Sequence, residues 1–148
     1  MYYCSPISNL LITATPDAIT GIKFVEKCEV NNSNLPILKQ CVKELDEYFA
    51  GKRKVFDVCV RFEGTDFQKQ VWNELRKIEY GSVCSYKDIA NKIGNSKGYR
   101  AVGNANGKNP IPIIVPCHRV ITSDGKLGGY SGGIEIKRKL LKNEKIDL

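Results

Sequence analysis

Residues 109–120 read Asn-Pro-Ile-Pro-Ile-Ile-Val-Pro-Cys-His-Arg-Val, and this stretch decides how the second half of the chain can fold. Its three prolines fix φ and remove backbone donors, so no regular helix runs through it. The apolar run between them predicts a rigid, buried segment that ends at Cys117 and His118. A cysteine is nucleophilic as its thiolate, and an imidazole within reach can take the proton. Adjacency in sequence does not by itself make the two side chains meet.

A third residue strengthens this pair. A helix is predicted from Ile134 to about Glu144, and Leu140 and Leu141 place Glu144 on its apolar face. A buried carboxylate is costly unless it is paired. His118, the only histidine of the chain, is a natural partner that Glu144 would orient and stabilise as a cation. The alternative is a solvated Glu144 near a frayed helix end, which the spacing alone slightly favours.

Three further helices are predicted upstream of the proline-rich stretch. Thr65 and Gln68 have the spacing of a capping box, which starts a helix. Helix, short glycine-bearing turn and helix are typical of a helix-turn-helix, although many helical pairs share that pattern. The predicted helices run from Thr65 to Gly81, from Ser85 to Gly94 and from Tyr99 to about Asn106.

Positive charge is concentrated in the second half of the chain. The 148 residues carry 23 Lys and Arg against 16 Asp and Glu. Residues 1–61 hold 8 basic and 7 acidic side chains, and residues 62–148 hold 15 and 9, so +6 of the net +7 lies in the latter. This excess favours a polyanionic partner such as nucleic acid. A basic but merely soluble surface is the alternative.

The first sixty residues predict a small α+β unit without an obvious chemical constellation. Strands are predicted over residues 10–15, 19–25 and 56–62, and hydrophobic spacing predicts a helix over residues 36–49. We therefore divide the chain into residues 1–62 and residues 63–148.

The six cysteines form no C-x-x-C pair, and with one histidine a zinc site is not expected. The five other than Cys117 are expected to be small buried hydrophobes and mostly reduced. No apolar run is long enough to span a bilayer, and no signal peptide is recognisable. A cytoplasmic protein without a membrane partner is expected.

The sequence Pro116–Val120, PCHRV, resembles the signature of the O6-alkylguanine-DNA alkyltransferases, the methylated-DNA–protein-cysteine methyltransferases. The similarity covers nearly all of residues 65–144. The N-terminal part fits that family in length and order, but not by motif. The further matching motifs are Phe67–Trp72, Gly81–Ile89, Arg100–Gly103, Asn109–Pro110 and Tyr130–Gly133.

The resemblance implies an α+β fold in which a strand-rich, ribonuclease-H-like domain precedes a mainly helical domain with a helix-turn-helix. It implies direct DNA repair, in which Cys117 irreversibly accepts the alkyl group of O6-alkylguanine, and of O4-alkylthymine, from a flipped base. Each molecule would act once, as a monomer on double-stranded DNA bound through the minor groove. No cofactor and no metal are implied, and a eukaryotic member would be nuclear.

Family roles are carried over to matching positions only. His118 would activate Cys117 through a bridging water, and Glu144 would hold His118. Tyr86 would contact the base and help to protonate the leaving guanine, and Asn109 would brace the active-site turn. The base pocket would comprise Pro112, Val115, Val120, Tyr130, Ser131 and Gly132.

On the second helix, the resemblance implies that Arg100 enters the base stack and replaces the flipped nucleotide. Lys97 and Lys108 would neutralise phosphates. The small residues Ala101, Gly103 and Ala105 would allow close approach to DNA, although tight helix packing explains them equally well.

Three alternatives remain open at this level. A lesion-binding protein would recognise alkylated DNA without transferring the group. A helix-turn-helix regulator would depend on DNA sequence instead of the lesion. A Cys/His hydrolase would turn over an ester or amide.

Overall fold

A computed structural model describes residues 1–31 and 33–148, which form two compact units, Met1–Phe62 and Glu63–Leu148. The first has strands against a helix, and the second is mainly helical. Among the described residues, no helix has the length and apolar character needed to cross a membrane.

The first unit is built on a three-stranded antiparallel sheet. Strands β1 (Tyr2–Cys4), β2 (Asn9–Ala14) and β3 (Ile19–Val25) lie in that order, with Tyr3 opposite Leu10 and Leu10 opposite Phe24. Helix α1 (Pro36–Phe49) starts at a proline, whose fixed φ suits the first turn. The core between helix and sheet includes Leu10, Ile12, Leu38, Leu45 and Tyr48. Strand β1 was not predicted.

The prediction of a strand over residues 56–62 is wrong. Only Val60 forms a bridge there, parallel to Ile19. The cause lies in α1, where the buried Glu44 accepts hydrogen bonds from the backbone N–H groups of Asp57 (2.8 Å) and Val58 (3.0 Å). These donors are therefore committed to a side chain instead of a neighbouring strand.

In the second unit, short helices precede and follow the proline-rich segment. Two of its helices begin at complete capping boxes, formed by Thr65 with Gln68 and by Ser85 with Asp88. In chain order its elements are α2 (Asp66–Leu75), β4 (Cys84–Ser85), α3 (Tyr86–Lys92), α4 (Tyr99–Gly107), a 3-10 turn (Cys117–Arg119), β5 (Val120–Ile121) and α5 (Ile134–Asn143). Strands β4 and β5 pair in parallel.

Two helix ends differ from the sequence-based expectation. Helix α2 ends at Leu75 and not at Gly81, which instead occupies a turn with φ of 81°. Ile78 still packs inward beyond the helix end, so its apolar spacing did not mark the boundary. Glu144 lies directly after α5, as its C-cap.

The expectation of burial holds for Cys41 and is wrong for the other four, whereas the expectation of a reduced thiol holds for Cys41, Cys59 and Cys84. Cys4 and Cys28 are exposed and joined as a disulfide. Cys59 is exposed, because its neighbour Val58 takes the inward position. Cys84 is half-buried at the strand preceding α3, with Lys92 Nζ 3.8 Å from its sulfur.

Candidate active site

The proline-rich segment forms a braced turn that ends at Cys117. Asn109 is buried and spans the turn, donating to the Val115 carbonyl (2.7 Å) and accepting from the Ile111 N–H (3.0 Å). Between them Ile113 adopts φ of 76°, a strained conformation for a β-branched residue. The predicted bracing contact of Asn109 is thus present in the structure.

Cys117 opens the 3-10 turn and is 1% exposed. Its backbone N–H bonds the Val115 carbonyl (2.8 Å), and its own carbonyl accepts from Asn106 Nδ2 (3.3 Å) on α4. Burial raises the pKa of the thiol above its ordinary value, while hydrogen bonds with Asn109 and Tyr130 act to lower it. The sulfur is therefore fixed in place among polar partners.

The structure brings His118 and Glu144 together. Nε2 of the fully buried His118 lies 2.6 Å from Oε2 of Glu144, which is 2% exposed. The solvated alternative for Glu144 is therefore wrong. Helix α5 ends one residue before Glu144, and its buried Leu140 and Leu141 carry the helix end inward.

Burial lowers the pKa of His118, and the hydrogen bond and charge of Glu144 only partly oppose this. The imidazole is therefore neutral near pH 7, although Glu144 itself favours the cationic form. With Nε2–H donated to Glu144, the lone pair lies on Nδ1. Among the described residues Nδ1 has no hydrogen-bond partner, so it is available to accept a proton.

Sequence reasoning missed Arg119 as a member of this network. Its buried guanidinium binds Glu144 through Nε (2.8 Å) and Nη2 (3.1 Å), and its Nη1 donates to the Ile78 carbonyl (2.7 Å). The backbone N–H of Gly81 also donates to Glu144 (3.2 Å). Burial would raise the pKa of Glu144, but the contacts with His118 and then with Arg119 outweigh it and lower that pKa to about 2.

Lys137 was missed as well. It lies on α5 with its side chain fully buried, and its ammonium donates to the Val120 carbonyl (2.6 Å). Burial lowers its pKa to about 8, and the negative charge of the Cys117 thiolate opposes this. Two sequence signals existed: Arg119 stands inside the PCHRV motif, and Lys137 lies three and four residues before Leu140 and Leu141, on the same helix face as Glu144.

A cavity of about 370 Å³ opens between α4 and the loop that follows β5. Of the predicted base-pocket residues, Tyr130 and Ser131 line it, together with Tyr86. The buried Pro112, Val115 and Val120 are not among its lining residues, and neither is Gly132. The lining residues that were not predicted for the pocket are Gly103, Asn106, Gly107, Thr122, Gly128 and Gly129.

Tyr86 stands between the two walls of this cavity. A Cβ at Gly103 would lie 3.8 Å from its ring, and a Cβ at Gly128 only 3.1 Å from its hydroxyl. Gly128 also has φ of 71°, so two constraints favour glycine there. Burial, and then the charge of Cys117, raises the pKa of Tyr86, which keeps the phenol protonated.

The predicted DNA-contact residues divide by exposure. Lys97, Arg100, Ala101 and Lys108 are exposed on or beside α4, and Gly103 is half-buried. Ala105 is 3% exposed and faces inward, where its carbonyl accepts from Trp72 Nε1 (2.8 Å). Its position supports the packing explanation over direct approach to DNA.

A buried cysteine followed by a neutral, carboxylate-held imidazole is the residue pairing of proteins that use a thiol nucleophile with a positioned base. Asn106, which bonds the Cys117 carbonyl, lines the open cavity, and the short helices α3 and α4 carry exposed cations. Within the described part of the chain, no three His, Cys, Asp or Glu side chains are grouped to hold a metal ion.

Comparison with known proteins gives the family. Residues 66–146 match the DNA binding domain of 6-O-methylguanine DNA methyltransferase, and residues 1–62 match its ribonuclease-like domain. The chain is 47% identical to a methylated-DNA–protein-cysteine methyltransferase of Methanosarcina acetivorans, over 97% of this chain and 98% of the relative. The chain therefore belongs to the 6-O-methylguanine DNA methyltransferase family.

Solved structures agree with this assignment. Mycobacterium tuberculosis OGT in complex with DNA superposes with a TM-score of 0.90 at 44% identity, covering 97% of this chain and 91% of that one. S. pombe Atl1, in complex with damaged DNA containing O6-carboxymethylguanine, gives a TM-score of 0.52 at 30% identity. That similarity covers 57% of this chain and 81% of Atl1.

Proposed function

We propose that this protein repairs alkylated DNA by moving the alkyl group from O6 of guanine to the sulfur of Cys117. The observation that carries the proposal is the buried Cys117–His118–Glu144 arrangement beside the cavity, in a chain of this family. The thioether product is stable, so each molecule acts once. O4-alkylthymine is proposed as a second substrate of the same chemistry.

The transfer requires one proton and two electron pairs to move. Cys117 gives its proton to Nδ1 of His118, directly or through one water. The sulfur then bonds the alkyl carbon while the bond from that carbon to O6 breaks, and the bond's electron pair stays on guanine. Tyr86 donates its phenol proton to guanine, and the proton held on His118 returns to the Tyr86 oxygen through water, so the net transfer is one proton from Cys117 to guanine and a neutral thioether remains.

The target atom lies inside the duplex, so we propose that the base is flipped into the cavity beside Tyr86 and Tyr130. Arg100 fills the gap left in the stack. The exposed Lys97 and Lys108 neutralise phosphates, which gives affinity without sequence preference. We further propose that α4 enters the minor groove, that the protein acts as a monomer, and that it works in the cytoplasm, or in a eukaryotic nucleus.

The decisive experiment is the intact mass of the protein after mixing with a duplex that contains one O6-methylguanine, followed by peptide mapping. We expect a gain of one methylene on Cys117 that saturates at one per protein. The Cys117→Ala variant should bind the duplex and gain nothing. Cys84→Ser is the matched control and should react as the unaltered protein does. Methyl on another cysteine would overturn the assignment.

A second candidate is a lesion sensor that binds without transfer. It is favoured by the raised pKa of the buried thiol, because a protonated thiol is a poor nucleophile. The same mass measurement separates the two functions. Tight, lesion-dependent binding without any mass gain in folded, reduced protein would establish the sensor.

A further inference from the structure

The ammonium group of Lys137 is enclosed by backbone carbonyls. It donates to Val120 (2.6 Å), to Leu127 and to Gly129 (3.3 Å), and the side chain has no exposed surface. Fully buried lysines are rare, because removing an ammonium from water is costly unless its donors are all used. Three carbonyl acceptors use all three N–H bonds of this group.

The three carbonyls belong to two different parts of the site. Val120 opens β5, three residues after Cys117, whereas Leu127 and Gly129 belong to the loop that forms one wall of the cavity. We call residues 127–131 the pocket loop. Lys137 therefore ties the pocket loop to the acceptor segment through charge-assisted hydrogen bonds.

The charge of Lys137 has no carboxylate partner. The salt bridges formed within 4.0 Å by residues 1–31 and 33–148 do not include it. Glu144 is matched by Arg119, so that buried pair contributes no net charge. His118 is neutral, since burial lowers its pKa, and the charge of Lys137 lowers it further.

Other titratable groups near Lys137 lie on α3, on α5 and at Cys117. The Tyr86 ring of α3 lies 6.0 Å from Nζ and stays protonated, since its pKa is raised. On α5 itself, Glu135 and Arg138 pair with each other on the exposed side. Cys117 is the group whose negative charge acts on Lys137, and in return Lys137 lowers the pKa of the thiol.

We propose that Lys137 is a positioning residue for the alkyl transfer, fixing the pocket loop against the acceptor segment and providing the counter-charge for the Cys117 thiolate. This inference rests on the proposed function. Lys137 keeps its proton throughout the reaction, because the transferred proton passes from Cys117 to His118 and on to guanine. When the thioether forms, the thiolate charge that Lys137 compensates disappears.

The first test compares Lys137→Gln, which keeps N–H donors without the charge, with Lys137→Met, which loses both. Lys139→Met is the matched control, because Lys139 is exposed on the same helix. The measurement is the rate at which iodoacetamide modifies Cys117 as a function of pH, followed by peptide mass.

We expect both Lys137 variants to raise the apparent pKa of Cys117 by one unit or more and Lys139→Met to leave it unchanged. At pH 7 the reaction at Cys117 then slows about tenfold per unit, because the thiolate fraction falls by that factor. Methyl transfer from duplex DNA should slow by at least as much, and more in Lys137→Met, where the pocket loop is also released. An unchanged pH profile in a folded variant overturns the proposal.

A second test needs no substitution and so does not depend on whether the variants fold. The lysine Nζ resonance that titrates well below the ordinary lysine range is followed by NMR before and after methylation of Cys117. We expect the apparent pKa of Lys137 to fall on methylation, because unmodified Cys117 ionises at high pH and its thiolate then favours the protonated Lys137, whereas the thioether carries no charge. An unchanged pKa contradicts the counter-charge role. Failure of the unaltered protein to accept methyl would instead refute the proposed function.

Discussion

Glu144 accepts hydrogen bonds from three residues that are distant from it in the chain. His118 and Gly81 each give one N–H, and Arg119 gives two, so both carboxylate oxygens are fully used. The single carboxylate therefore orients the base of the proposed relay and compensates a buried guanidinium. Its loss would leave Arg119 as an uncompensated charge in the interior.

Because of this pairing, the stability of the folded chain depends on pH in the acid range. The pKa of Glu144 is lowered to about 2 in the folded chain, below its ordinary 4.5, so the unfolded state binds its proton first as pH falls. The contribution of ionised Glu144 to the free energy of unfolding is complete above about pH 4.5 and is lost as the pH falls from there to about 2. We expect the free energy of unfolding to fall by about 3 kcal/mol across this pH range. Denaturant unfolding at several pH values measures it.

Glu144→Gln should remove that part of the pH dependence and lower stability at pH 7 by about 3–5 kcal/mol. Glu135→Gln is the control, because Glu135 is an exposed carboxylate on α5 that pairs with Arg138. Equal acid sensitivity in Glu144→Gln and the unaltered protein would contradict the pairing energetics.

The residues of the site were predictable to different degrees for a physical reason. Glu144 stood out because apolar neighbours on its own helix implied burial, and one histidine was available to pair with it. Arg119 and Lys137 did not stand out, because the sequence does not single out their acceptors, Glu144 and the Val120 carbonyl, as the one histidine singled out the partner of Glu144. Only the folded chain brings these groups together.

Among the secondary-structure elements, α4 has one face for packing and one for a partner. Val102 and Ala105 are buried, and Trp72 of α2 bonds the Ala105 carbonyl. Arg100, at the second position of the helix, is exposed. A guanidinium held at a helix start in this way is suited to enter a base stack.

We therefore expect Arg100→Ala to slow transfer from duplex DNA about 10- to 100-fold at saturating DNA, because base stacking is worth about 1–3 kcal/mol. Reaction with free O6-methylguanine should change little, since nothing has to be flipped. The comparison is a single-turnover rate on both substrates. Lys108→Ala is the control and should weaken binding without slowing the saturated rate. Equal losses on both substrates would remove the flipping role.

Helix α1 shows how a side chain can replace a strand partner. Glu44 accepts from the N–H groups of Asp57 and Val58 and from the Gln40 amide (2.8 Å). Glu44→Ala leaves the buried Val58 donor and the partly buried Asp57 donor unsatisfied, and we expect a loss of about 2–4 kcal/mol in urea unfolding. Glu44→Gln retains an acceptor oxygen and should lose less than half as much. A loss below 1 kcal/mol in Glu44→Ala would show that water replaces the carboxylate.

The same contact explains why element prediction succeeded in some places and failed in others. Capping boxes at Thr65 and Ser85 involve residues three apart, so sequence alone marks those helix starts. The alternation over residues 56–62 indicated a strand, but the decisive partner, Glu44, precedes Asp57 by 13 residues. A hydrogen bond between a side chain and backbone N–H groups that far along the chain leaves no periodic pattern in the sequence.

At the scale of the whole molecule, charge is divided unequally between the two units. Residues 62–148 hold +6 of the net +7, although Arg119 and Lys137 are buried and do not face solvent. The exposed cations of the helix pair are Lys87, Lys92, Lys97, Arg100 and Lys108. A repair protein that must act at any sequence can use this surface for phosphates.

We expect three to five of these cations to contact phosphates. A plot of the logarithm of the DNA association constant against the logarithm of the salt concentration should then have a slope of about −3 to −4.5. Lys97→Ala should reduce the slope by about 1, alike for duplexes of different sequence. Lys39→Ala, on the exposed side of α1, is the control. Binding that depends on sequence and barely on salt would favour the regulator alternative.

The hydrogen bond from Trp72 to Ala105 has a practical consequence. The chain contains one tryptophan, and its indole N–H is bonded to the backbone of α4. Indole emission depends on polarity and hydrogen bonding around the ring, so intrinsic fluorescence reports on the helix proposed to meet DNA. Docking on DNA, base extrusion and alkylation can thus be followed as separate optical phases in unlabelled protein.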